Sequence, residues 1–158
     1  MTDSSPTNTS QLDDVRFNTV VNILDGGFFG VALGFASFTT IIPLFVMQLT
    51  DSPVLIGLIP AIHTVGWQLP QLLTAGRVRR LERFKPMVMV MTINERLPFL
   101  GLALIAYFLS RLDTALALVL IYILLIWQGL GGGFTATVWQ SMIGKIIPST
   151  WRGRFFGV

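Results

Sequence analysis

Apolar residues in this chain neither alternate nor keep to one helical face; they run on unbroken for the length of a membrane crossing and then stop at short polar links. Four such runs stand out, Phe17–Leu49, Val54–Ala75, Met87–Leu109 and Ala115–Val138. A helix rising 1.5 Å per residue needs about 20 residues to cross a hydrocarbon core of roughly 30 Å. The pattern therefore predicts an all-α membrane protein with four transmembrane helices, at about 17–49, 54–75, 87–109 and 115–138. The first run is longer than a crossing requires, so it tilts or begins at the interface, and Pro43 is expected to kink it. Ahead of it, residues 1–16 are rich in Ser, Thr, Asn and Asp and read as a disordered tail with no signal-peptide pattern.

Composition sharpens the choice between a membrane and a soluble core. Hydrophobic residues make up 53% of the 158 and charged ones 12%, with a mean hydropathy of +0.70. A soluble domain of this size carries about twice that charge and has enough polar sequence to cover its core. Cysteine is absent, which removes disulfides, thiolate metal sites and thiol nucleophiles. A sequence pI near 10 would suit nucleic acid, but the basic residues sit in clusters at the ends of apolar runs, where membrane topology accounts for them. Nucleic acid is therefore not an expected partner; the lipid bilayer is.

The polar links set an orientation. Lys and Arg number none in Thr50–Pro53, five in Gly76–Pro86, one in Ser110–Thr114 and three in Gly144–Gly157. Positive charge stays on the cytoplasmic side, so the second and fourth links face inward and the N-terminus with them, in a plasma or inner membrane. Asn8-Thr9-Ser10 fits the glycosylation pattern only by chance in such a tail. Ser52 and Pro53 suit the cap and first position of the second helix.

A few polar residues interrupt the apolar runs. Asn18, Asn22 and Asp25 fall on one face of the first helix, and an intramembrane carboxylate marks a pathway or proton site unless it lies at the interface. Asn94, Glu95 and Arg96 lie near the middle of the third run, as a pathway or as an ion pair with a neighbouring helix. His63 and Trp67 stack at i, i+4 on the second, beside Thr64, Gln68 and Gln71. His63 titrates near neutral pH and suits proton transfer or a buried hydrogen bond; as the only histidine, with no acid or thiol beside it in sequence, it makes no metal site. The four-residue spacings Gly26, Gly30, Gly34 and Gly129, Gly133 predict close helix contacts. No nucleophile and base pair is visible, so no enzyme activity and no cofactor is expected.

The basic link Gly76-Arg77-Val78-Arg79-Arg80-Leu81-Glu82-Arg83-Phe84-Lys85-Pro86 resembles the cytoplasmic loop motif of the major facilitator superfamily. Trp127-Gln128-Gly129-Leu130-Gly131-Gly132-Gly133 is similar to that family's Gln-Gly-x-Gly signature. Pro148–Gly157, with its Arg-Gly-Arg, looks like the approach to a fifth helix, and Asp25-Gly26-Gly27-Phe28-Phe29 resembles the start of the cavity-lining first helix. Aligned on Gly76, Arg80 stands where the family usually has Asp, Arg83 replaces the second Gly, and Leu125 replaces the usual Arg of the fourth helix; Glu82 is the acid nearest the loop.

The resemblance, from about residue 17 onward, implies the N-terminal portion of a secondary transporter of about twelve helices in two halves, working by alternating access on a small solute, with protons as a candidate coupling ion. Asn22, Asp25, His63, Gln68, Glu95, Arg96 and Gln128 are then the candidate pathway residues, and Gly76, Arg77, Arg80, Glu82, Arg83 and Lys85 the loop motif. On this reading the remaining helices of the transporter are partners that the chain itself does not supply. A four-helix homodimeric exporter of small molecules is the other expectation.

Overall fold

The computed structural model describes residues 7–78, 83–147 and 153, with side chains described from Asp14 onward except those of Val15, Ala75 and Arg77. Every regular element among them is helical: α1 Thr7–Phe35, α2 Ile41–Val46, α3 Pro53–Val78, α4 Lys85–Phe108 and α5 Thr114–Ile146, with a 3-10 turn at Leu109–Arg111 closing α4. The chain divides into two compact units, Met1–Gly34 with Met142–Val158, and Phe35–Ser141.

In the first unit, α1 begins at Thr7, inside the stretch expected to be a tail. Extending a helix backward from an apolar run costs far less than nucleating one, so a polar leader can join it. The apolar window Arg16–Phe35 has none of its length buried, and Phe17, Phe28 and Phe35 all lie exposed.

The long first run expected at 17–49 is two helices. It breaks at residues 36–40, ahead of Pro43 rather than at it, and resumes as the six-residue α2. Pro43 has no N–H to return to the carbonyl of Thr39, and the Ser37-Phe38-Thr39-Thr40 stretch offers competing hydroxyls. Ser37 and Thr39 hydroxyls bond to each other at 3.1 Å, and the Ser37 carbonyl accepts from the Ile42 N–H at 3.0 Å.

Among the described residues, three helices are long and apolar enough to cross a membrane: Arg16–Phe35, the α4 segment Lys85–Arg111, and α5, with mean hydropathies of 1.2, 1.5 and 2.1. The fourth expected crossing, α3, has the length and on average is as apolar as α4, but Pro60, Pro70, His63, Gln68 and Gln71 are spread through it. Its polar groups are used locally: Thr64 and Thr74 hydroxyls donate to the carbonyls of Pro60 and Pro70 one turn back, and Gln71 Nε2 donates to that of Trp67.

Ends of helices follow their sequence signals. Ser52 Oγ accepts from the Leu55 N–H at 3.4 Å ahead of Pro53, and Asp113 Oδ2 accepts from the N–H groups of Ala115 and Leu116. Each satisfies donors that a helix start leaves unmatched.

Within the second unit α5 is the central element. Ala117, Ile121, Leu125 and Gln128 form a fully buried stripe along it. In lipid, apolar burial between helices gains little, and close packing with a few hydrogen bonds holds them instead. Glycines provide the closeness: none has a positive φ, so they are here for their missing side chains. A Cβ on Gly66 would lie 3.0 Å from the backbone of Gly129, and one on Gly133 2.5 Å from the carbonyl oxygen of Trp67. Tyr122 adds a hydrogen bond from its hydroxyl on α5 to the carbonyl of Leu55 on α3.

Candidate functional site

The glycine face of α5 brings three mid-helix polar residues of the second unit into one packed region: His63 of α3, Glu95 of α4 and Gln128 of α5. Gly66 and Gly129 let α3 approach so closely that side chains flanking the contact meet across it. One turn before the contact, His63 Nδ1 and Gln128 Oε1 lie 3.2 Å apart. With the amide oxygen, which can only accept, facing the ring, the imidazole is the donor, from Nδ1.

Gln128 has no exposed surface, and its Nε2 has no hydrogen-bond partner among the described residues. Turning the amide over would exchange its two ends and still leave one unmatched. A buried amide with an unmatched end costs about 1–3 kcal/mol, a penalty that an aliphatic side chain would not incur.

Aromatic rings enclose the imidazole. Phe38, from the break between α1 and α2, stacks on it with centroids 3.8 Å apart and planes 7° from parallel. Trp67, one turn along α3, lies 5.8 Å away and tilted by 45°. Phe99 of α4 stands 6.2 Å from Phe38, so the stacked ring is itself supported.

Glu95 sits on the same α5 face but farther along it. Its Cα would be 3.2 Å from a Cβ on Gly131, and its Oε1 3.1 Å from one on Gly132, whose other neighbour is the Trp67 ring. Only 3% of Glu95 is exposed. Beside it, Asn94 Oδ1 accepts from Trp127 Nε1 at 3.0 Å, a further link between α4 and α5.

The other expected site residues are placed differently. Gln68 and Arg96 are exposed, as are Gly76, Arg83 and Lys85 of the basic link. Arg77 lies in the last turn of α3, while Arg80 and Glu82, like the Pro148–Thr150 start of the later motif, lie outside the described residues. In the first unit Asp25 is exposed, and Asn22 Nδ2 donates to the carbonyl of Asn18 within its own helix. Among the described residues nothing lies within 4 Å of where a methyl group on Gly26, Gly30 or Gly34 would stand, whereas Gly129 and Gly133 each meet the backbone of α3.

Two residues at the centre of the arrangement carry little signal in the sequence. Phe38 is one of 12 phenylalanines, and only the break ahead of Pro43 sets it apart. Gly66 differs from the other glycines in lying between His63 and Trp67. A separate groove of about 430 Å³ between α3 and α5, lined by Leu58, Ala61, Val65, Leu69, Ile126 and Leu130, has no polar chemistry and is not the site.

Compared with known protein families, curated proteins and solved structures, the chain matches none.

Proposed function

We propose that the chain forms opening helices of a secondary active transporter of the major facilitator type, with α3 crossing the bilayer alongside α1, α4 and α5. The observation that supports this best is the placement of His63, Glu95 and Gln128 near the middle of three long, largely apolar helices. Polar and ionisable groups at that depth are costly, and proteins keep them where ions or solutes pass. The resemblance of the basic link and of the Gln128–Gly133 stretch to the family points the same way.

Asp25 of α1 is the second element of the reading. It shares a helical face with Asn18 and Asn22, and the first helix lines the cavity in transporters of this kind. Alternating access then needs the carboxylate to change protonation or partner during each cycle.

The test is flux in proteoliposomes containing the product of the whole gene, under imposed pH and sodium gradients with a panel of small solutes. Gradient-driven uptake or efflux is expected, with Asp25→Asn abolishing it at near-normal insertion and Asp25→Glu retaining part. No gradient-driven flux of any solute would overturn the transporter reading. Asp25→Asn transporting as well as the parent across a range of pH would remove Asp25 from the pathway. Robust flux through the 158-residue chain by itself would favour the homodimeric exporter.

A further inference from the structure

We infer that His63 is a reversible proton-binding site inside the bundle, a cage in which Phe38, Trp67 and Gln128 hold the imidazolium. It deepens the transporter reading by naming the proton as coupling ion at this site, and so rests on it for its role, though not for its chemistry.

The geometry assigns a part to each neighbour. With Gln128 Oε1 turned toward the ring, Nδ1 donates to it and the lone pair of Nε2 is left to receive a proton. Among the described residues the bond from Nδ1 is the one hydrogen bond recorded for the ring, and His63 as a whole is half-buried rather than sealed. A hydronium ion gives its proton to the Nε2 lone pair and leaves as water; no other bond breaks.

Once charged, the ring meets groups that suit a cation. Its bond to Gln128 becomes charge-assisted, and the face-on Phe38 ring at 3.8 Å presents the negative side of its quadrupole. Trp67 at 5.8 Å adds a second ring within cation–π range. The unmatched Nε2 of Gln128 fits the same account, since the amide is held by its acceptor end even though its donor end goes unused.

Other titratable groups on the surrounding elements are few. The segment carrying Phe38 and α2 offer none, α4 brings Glu95 and the exposed Arg96 from its middle, and α5 brings Tyr122, whose hydroxyl donates to Leu55. Glu95 lies on the neighbouring turn of the glycine face, beside Gly131 and Gly132.

Because His63 is the only histidine in the chain, labelling with ¹⁵N-histidine gives one imidazole whose two nitrogens report tautomer and charge directly. The protein reconstituted in phosphatidylethanolamine and phosphatidylglycerol bilayers is titrated by NMR. The expected result is a neutral ring protonated at Nδ1 that gains its second proton at Nε2 reversibly. Phe38→Leu and Gln128→Leu should each weaken proton binding by about fivefold, the size of one cation–π contact or charge-assisted bond. Phe38→Tyr, which keeps an aromatic face, should restore most of the loss and guards against a folding defect. A ring that stays neutral throughout the stable pH range, a neutral form protonated at Nε2, or midpoints unmoved in both leucine variants would each overturn the inference. Titration as expected in a protein whose whole-gene product moves no solute supports the site and strikes the transporter reading alone.

Discussion

Single glycines decide how closely α3 can approach α5, because a methyl group at the contact has only backbone to meet. At Gly133 a Cβ would lie 2.5 Å from the Trp67 carbonyl oxygen, and a carbonyl in a helix cannot rotate away. Gly133→Ala is therefore expected to destabilise the helix pair by about 1–3 kcal/mol, as overpacking usually does. Gly26→Ala, with nothing within 4 Å, should leave stability unchanged or slightly raised through helix propensity. Reversible unfolding in bicelles reads both; equal effects would show that the close approach is not used. Tyr122→Phe removes one hydrogen bond to Leu55 and should cost about 1 kcal/mol in the same assay.

At the scale of elements, the helices differ in how far they can enter a bilayer unaided. α5 has a mean hydropathy of 2.1 and no charged residue before Lys145, whereas α3 holds two prolines, a histidine and two glutamines. Placed singly in a translocation assay, α5 should insert efficiently and α3 poorly, with α3 rescued when α4 and α5 follow it, since they offer Gln128 and the glycine face. Efficient insertion of α3 by itself would show that its polar residues cost less than argued. The links test orientation. The chain has no native cysteine, so Ser52→Cys and Ser110→Cys should react with an impermeant thiol reagent in intact cells while Arg83→Cys should not. Labelling of Arg83→Cys from outside would reverse the orientation drawn from the Lys and Arg asymmetry.

For the whole molecule, the exposed apolar surface is the dominant fact. Large hydrophobic side chains lie open on every long helix, among them Phe28, Leu72, Leu100 and Val119, far beyond what a soluble monomer tolerates. Lipid is the solvent that makes such a surface stable. The chain should remain in the membrane pellet after alkaline carbonate washing, and recovery of a monodisperse soluble form would refute membrane residence.

The sequence by itself determined the helical class, the length and place of α3 and α4, the cap at Ser52, and the polar residues worth watching, because each rests on local composition or on spacing along one helix. It read the first run as one segment, tilted or starting at the interface and kinked at Pro43, where α1 and α2 are separated at residues 36–40, since apolar continuity outweighed the local competition from Ser37, Thr39 and Pro43. It treated the two glycine series alike, although only Gly129 and Gly133 meet another backbone; spacing states which residues share a face, never what that face meets. The pairing of His63 with Gln128, 65 positions apart, and the seating of Phe38 on the imidazole were decided by tertiary structure alone. Contacts between helices depend on how closely their backbones can approach, and that distance belongs to the pair rather than to either sequence.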